Sequence, residues 1–232
     1  MRSLFLLCSI LALIWTKPLS ADDCLTLSFL GAGFTSDADK KRFEDIFIGE
    51  GLCINVIRLP NERAKAALLA GDIDGEVGRS ENYLALVSAS AIRVPAELMR
   101  VDLFLATKDP TINAAADLKS GEIAYIRGFK SHEDALNNLG LTGIAVDSFD
   151  ALYKLLNAGR VKAVPIDSLA LEAMKDQLAG FKTFPLGSFA TYVYVHKKHA
   201  DLVPQIAKAI NTHLASGNDF IPDIMNTKGG TP

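Results

Sequence analysis

The stretch "KAALLAGDIDGEVGR" (Lys65–Arg79) is echoed by "LYKLLNAGRVKAVPID" (Leu152–Asp167). Each reads as a helix end carrying paired leucines, an Ala-Gly stop, and then a short apolar strand. Gly71 stands eight residues before Arg79, and Gly159 eight before Asp167. One copy ends on a cation and the other on an anion. Helix-glycine-strand is a common α/β element, so the repeat can be fold grammar alone. In an open α/β sheet, however, ligands bind beyond the carboxyl ends of the strands. Arg79 and Asp167 are therefore both expected to face a ligand cleft.

Around the first copy the rhythm is β-α-β-α-β. "LTLSFL" (Leu25–Leu30) is a strand, and Ser36 can cap a helix over "DADKKRFEDIFIG" with Phe43, Ile46 and Phe47 on one face. "INVIRL" (Ile54–Leu59) is a second strand, Pro60 opens the next helix in the first-turn position proline favours, and Ile73–Val77 is the third strand. This order implies a parallel sheet with right-handed crossovers. Gly78–Arg100 reads as less regular, and Arg100–Lys108 as a strong strand. Around the second copy the rhythm restarts. "EIAYIRG" is a strand, "SHEDALNNLG" a helix capped by Ser131, "GIAVD" a strand, "SFDALYKLLNAG" a helix capped by Ser148, and "KAVPID" a strand followed by the helix "SLALEAMKDQLAG". "FKTFP" is short and extended, Thr191–Lys197 is a strong strand, and the chain ends in two helical segments, "ADLVPQIAKAINTHLASG" and "NDFIPDIMNTK". The strands near Leu103 and Val193 flank the second unit as hinge strands. The expected organisation is a first lobe over residues 22–106 plus 195–232 and a second lobe over 107–194.

Arg2 precedes the twelve-residue apolar core Leu4–Trp15, interrupted only by Ser9, and "LSA" (Leu19–Ala21) offers a small residue for cleavage. That order reads as a secretory signal peptide over residues 1–21. Twelve residues are too few to span a bilayer, which needs about 20. Cys8 is not preceded by small residues and does not read as a lipidation site. The 232 residues carry 24 basic and 27 acidic side chains. The leader holds Arg2 and Lys17 and no acid, so 22 basic against 27 acidic residues leave the mature chain at −5. No basic cluster appears, which argues against nucleic acid as a partner. Cys24 and Cys53 each begin a strand, and parallel neighbouring strands would set them at one sheet edge, about 4.8 Å apart. Export to an oxidising compartment and this spacing favour a disulfide.

Taken in order, "NERAKAALLAGDIDGEVGR", "IRVPAELMRVDLFLAT", "DLKSGEIAYIRGFKSHEDAL" and "SFDALYKLLNAGRVKAVPID" resemble the bacterial extracellular solute-binding proteins of family 3, the periplasmic amino-acid-binding type. The resemblance covers the mature chain. It implies the α/β, two-lobed type II periplasmic-binding-protein fold, each lobe a mainly parallel sheet flanked by helices. It further implies a periplasmic monomer that captures a small polar or zwitterionic solute and passes it to an ABC-transporter permease or a membrane sensor. In the family an arginine on the first lobe pairs with the ligand carboxylate, and an aspartate after a second-lobe strand takes the amine. Asp167 stands in that aspartate's place. Arg79 comes earlier than the family's arginine, which follows a longer loop rich in Ser and Thr; here that loop is "GRSENYLALVSAS", with no further arginine until Arg93.

The residues themselves suggest the same kind of site. Arg79 and Arg127 are anion holders by their fork geometry. Ser131 starts a helix whose free N–H groups attract anions. Phe34 and Tyr83 are candidate pocket walls. Asp167 can hold an ammonium, cap the helix at Ser168, or do both. "HKKH" (His196–His199) lacks a neighbouring carboxylate in sequence, which argues against a metal site. No nucleophile elbow, Walker loop or complete dinucleotide fingerprint occurs, and "GAGFTS" reads as a pocket-lining turn without a cofactor. Two alternatives stay open. One is an orphan periplasmic accessory protein. The other is a dehydratase-like enzyme on the same fold, for which Glu76 or Glu81 would be the general acid.

Overall fold

A computed structural model describes residues 24–29 and 37–220. The leader, Phe34 and Ser36 lie outside the described residues, as does most of the last expected helix, of which 218–220 are described and not helical.

The first strands are β1 (Leu25–Phe29), β2 (Ile54–Arg58) and β3 (Gly75–Ser80). Two helices join them, α1 (Asp37–Ile48) and α2 (Asn61–Ala70). β1 lies between β2 and β3 and is parallel to both. α1 forms because Phe43 and Phe47 recur on one face, with Asp37 and Asp39 in the first turn complementing the helix dipole. α2 ends at Gly71, whose φ of 81° lets its N–H turn back to the Ala67 and Leu68 carbonyls. Pro60 caps α2 and does not enter its first turn.

A 3-10 turn (Glu81–Tyr83) and a one-turn α3 (Leu84–Val87) lead into β4 (Ala91–Thr107), a strand of 17 residues. The expected irregular stretch is thus strand from Ala91 onward. The second unit follows: β5 (Ala124–Ile126), α4 (Lys130–Asn138), β6 (Ile144–Val146), α5 (Phe149–Asn157), β7 (Ala163–Asp167) and α6 (Ser168–Ala173). Ser148 caps α5 by accepting the Ala151 N–H at 3.2 Å. Ser131 does not cap α4. That helix starts one residue earlier, and the cap position is Phe129 with no side-chain bond. α6 is shorter than the sequence pattern, stopping at Ala173. The two extended segments near the C-terminus are one strand, β8 (Lys182–His196), and α7 (Val203–Ala215) closes the fold.

β4 and β8 pair antiparallel from Ala91↔His196 to Thr107↔Lys182. One sheet therefore runs in the order β2-β1-β3-β8-β4-β7, while β5 and β6 pair in parallel and bridge to it at Ile123↔Ala163. β4 joins both halves. Val94, Ala96 and Leu98 enter a core with β1, β2, α1 and α7, while Ala106 enters a second core with α5 and α6. Smaller cores cover the opposite faces, one around Tyr83 and Tyr194 and one around Leu105 and Ile123. Between the two halves, Leu103 pairs with Gly187 and Phe104 with Pro185, so β8 bulges where it crosses. Gly187 accommodates the bulge at φ 134°. Among the described residues no helix is long and apolar enough to cross a membrane.

Cys24 and Cys53 are joined, with Cα atoms 4.5 Å apart. Leu25 pairs with Ile54, so the cysteines meet at the shared edge of two parallel strands. "HKKH" has a carboxylate neighbour after all, contributed from far along the chain. Asp74 lies 2.7 Å from His199 Nε2 and 2.9 Å from Lys198 Nζ. His196 accepts the Lys198 N–H at 3.2 Å, so both imidazoles serve the local fold.

His132 on α4 is fully buried and stacks on Phe129 at 4.9 Å between ring centroids. Among the described residues, neither ring nitrogen bonds a protein group. Burial lowers its pKa from 6.5 to about 3. The folded state thus binds fewer protons than the unfolded state, and stability falls as pH drops below about 6.5. At roughly 1.4 kcal/mol per pH unit, His132 costs about 2 kcal/mol by pH 5. Denaturant titrations at pH 7 and pH 5 are expected to show His132→Phe losing that much less stability than the wild type. Equal losses would refute the assignment.

Candidate functional site

Glu76 and Arg79 are three apart on β3, and a regular strand would point them to opposite faces. The register of β3 on β8 shifts between Val77 (opposite Val193) and Arg79 (opposite Tyr192). Gly78, at φ 83°, is the extra residue of this bulge. The shift returns Arg79 to the face of Glu76, and Arg79 Nη2 donates to Glu76 Oε1 at 2.5 Å. Both side chains are buried, with 4% and 1% of their surface exposed. The other Glu76 oxygen accepts the Tyr83 hydroxyl. The Tyr83 ring packs under the guanidinium at 4.6 Å and edge-on to Tyr194 at 5.3 Å. Burial pushes the Tyr83 phenol well above its ordinary range, against the pull of the Arg79 charge.

Arg79 also reaches the second unit. Nη1 donates to the Gly128 carbonyl at 3.3 Å, and Nη2 to the Asn61 carbonyl at 3.4 Å. Asn61 Nδ2 donates to the Arg127 carbonyl at 3.3 Å, and Asn82 Nδ2 to Asp134 Oδ2 at 2.8 Å. Lys130 also bonds Asp134. These bonds fasten β3 and the start of α2 to the β5–α4 turn and to α4. A Cβ on Gly128 would lie 2.7 Å from Glu62 Oε1 and 2.9 Å from Asn61 Cβ, so the close approach requires glycine, as does its φ of 77°. Gly128→Ala is expected to loosen this junction at a cost of about 1–2 kcal/mol. The check is a larger radius of gyration by solution scattering, beside a lower melting temperature.

Two spaces adjoin the junction. A cavity of about 10 Å³, bordered by Arg79, Tyr83, Phe129, Ser131 and Phe189, lies at the guanidinium. That is about the room of one water. Among the described residues, Arg79 Nε is buried without a protein acceptor. Beside it opens a cleft of about 330 Å³, within the range of small-molecule sites. Its walls are Ser80–Asn82 on one side and Ser131, Asp134 and Asn138 of α4 on the other; Arg100 and Leu103 of β4 and Leu186–Ala190 of β8 form the floor.

The sequence candidates separate. Arg79, Tyr83 and Ser131 come together at this junction. Arg127 is exposed and bonds Asp147 at 2.9 Å. Asp167 is buried at the end of β7, where its Oδ1 accepts the Ala170 N–H at 2.8 Å and caps α6. Burial raises its carboxyl pKa, against backbone N–H bonds that hold it down. Asp167 borders neither space, and it does not bond Arg79. Residues that the sequence reading did not place at the ligand site are Asn61, Asn82, Asp134 and Asn138. Asn61 and Asn82 lie in first turns, Asp134 and Asn138 further along α4, and none carries a sequence signal that separates a cap or a surface polar residue from a cross-junction bond.

The fold is the two-lobed type II fold of the periplasmic amino-acid-binding proteins. An ancestral arginine-binding protein bound to glutamine superposes with a TM-score of 0.71 at 19% identity, covering 90% of this chain and 99% of that one. The substrate binding protein of an amino acid ABC transporter gives 0.72 at 16% identity, over 88% of this chain and 99% of that one. An ABC uptake transporter substrate binding protein from Streptococcus pneumoniae, with bound histidine, gives 0.71 at 18% identity, over 90% and 94%. No protein-family model and no curated protein sequence matches the chain. At these identities the likeness is one of fold.

Proposed function

We propose that the protein is an exported solute-binding protein of the amino-acid-binding type, family 3. Residues 22–106 with 195–232 form one lobe and residues 107–194 the other. The lobes capture a small polar solute between them, for delivery to an ABC-transporter permease or a membrane sensor. It acts in the periplasm, after removal of residues 1–21, and binds without turning the solute over. The observation that carries this reading is the 330 Å³ cleft, walled by both halves and floored by the two strands that join them. Bending at the β8 bulge would open and close that cleft, the hinge device of two-domain binding proteins. Ser131 contacts the solute from α4, while Arg79 and Tyr83 back the site from β3 and the turn after it.

The test is a thermal-shift screen of residues 22–232 against amino acids, polyamines, organic acids and sugars. One class is expected to raise the melting temperature with dose, because ligand that binds only the folded state stabilises it by mass action. Ser131→Trp, which fills the cleft, is expected to abolish that rise while the variant stays folded. No rise with any class would remove the solute reading and leave a partner-binding role.

A further inference from the structure

Arg79 is the side chain that its fork geometry and its place at a strand end make a candidate holder of a ligand carboxylate, yet its guanidinium already holds one. Glu76 Oε1 lies 2.5 Å from Nη2, both groups are almost wholly buried, and the second Glu76 oxygen is taken by Tyr83. The 10 Å³ left beside the guanidinium cannot admit a second carboxylate. The other charges on the larger cleft are also matched. Glu81 bonds Arg93 at 2.5 Å and Arg100 bonds Glu97 at 3.3 Å, both in solvent-exposed pairs, and Asp134 is held by Lys130 and Asn82. Among the described residues, what the cleft offers without a partner is neutral: the hydroxyls of Ser80, Ser131 and Ser188 and the amide of Asn138. A charged group that leaves water without a counter-charge binds at a heavy desolvation cost.

We infer that Glu76 is a specificity-determining residue: it stands in for a solute carboxylate on Arg79, so the cleft takes uncharged solutes rich in hydroxyl or amide groups and rejects free amino acids. The choice of solute class rests on the solute-binding reading above; the stand-in role of Glu76 does not.

The experiment has two arms. In the first, Glu76→Ala is melted in rising acetate or formate, with chloride at matched ionic strength as control. Truncation opens carboxylate-sized space beside an uncompensated cation, so acetate is expected to stabilise the variant with an affinity at least about tenfold above any effect on the wild type. Glu76→Ser, which keeps a partner for Tyr83, replaces it if the alanine variant does not fold. Equal responses of variant and wild type would overturn the stand-in role. In the second arm the wild type is titrated with L-glutamine, with L-glutaminol, which keeps the ammonium and carries a hydroxymethyl group in place of the carboxylate, and with mannitol. The uncharged polyol is expected to bind, and glutamine to bind no tighter than its alcohol. Glutamine binding about tenfold tighter than glutaminol would overturn the inference. If the wild type binds nothing in either arm or in the broad screen, the solute reading fails, while the acetate response still decides the role of Glu76.

Discussion

Arg79→Leu is expected to lower the free energy of unfolding by about 3–5 kcal/mol, the range for breaking a buried ion pair from one side. The leucine fills much of the space but leaves the Glu76 carboxylate buried, with Tyr83 as its remaining partner. The substitution also removes donors to the Gly128 and Asn61 carbonyls. Removing both charges is a different experiment. In Glu76→Leu/Arg79→Leu no ion is stranded, and the double variant is expected to recover most of the loss, since an apolar pair of similar volume is often as stable as a buried ion pair. Urea unfolding of the two single variants and the double variant gives the coupling energy directly. Additive losses would mean that the two side chains do not act as a pair.

Cys24→Ser/Cys53→Ser is expected to cost about 3 kcal/mol. The bridge links residues 29 apart, and closing a loop of that size removes chain entropy from the unfolded state. The effect is on stability alone, because the disulfide lies at the opening edge of β1 and β2 while the cleft lies beyond the far end of β3. Melting of the double-serine variant is expected roughly 6–12 °C below the wild type, with the solute response intact. A melting point unchanged from the wild type would show that the cross-link contributes nothing.

How much of this was legible in the sequence follows from what kind of interaction decided each feature. Local chemistry reads well. Ser148 caps α5 because its hydroxyl and the Ala151 N–H are three residues apart, and Gly71 ends α2 because only glycine adopts its φ cheaply. The disulfide was legible because strand pattern and cysteine position coincide at one edge. Features decided by partners distant in the chain were not. β3 extends through Ser80, beyond its apolar run, because β8 supplies an antiparallel partner from more than a hundred residues away. β4 and β8 are long because they pair with each other across both halves, although Glu97, Arg100 and Asp102 interrupt the apolar pattern of β4.

Of the candidate site, the sequence brought out the placement of Arg79, Tyr83 and Ser131 at the junction but not what Arg79 bonds. Topology put Arg79 beside the junction, while simple strand alternation would set Glu76 on the opposite face. One residue, Gly78, cancels that alternation, and a bulge of this kind has no signal beyond a glycine in a strand. Asp167 shows the reverse case. The sequence left it as an ammonium holder, a cap for the helix at Ser168, or both, and its bond to the Ala170 N–H is that cap.

Amide chemical-shift mapping of residues 22–232, titrated with the screen compounds pooled by class, tests the central claim most directly. Binding in the cleft predicts perturbations confined to Ser80–Asn82, Ser131–Asn138, the β4 floor from Arg100 to Leu103, and Leu186–Ala190. Perturbations that avoid these segments, or none with any pool, would contradict a solute site between the two lobes.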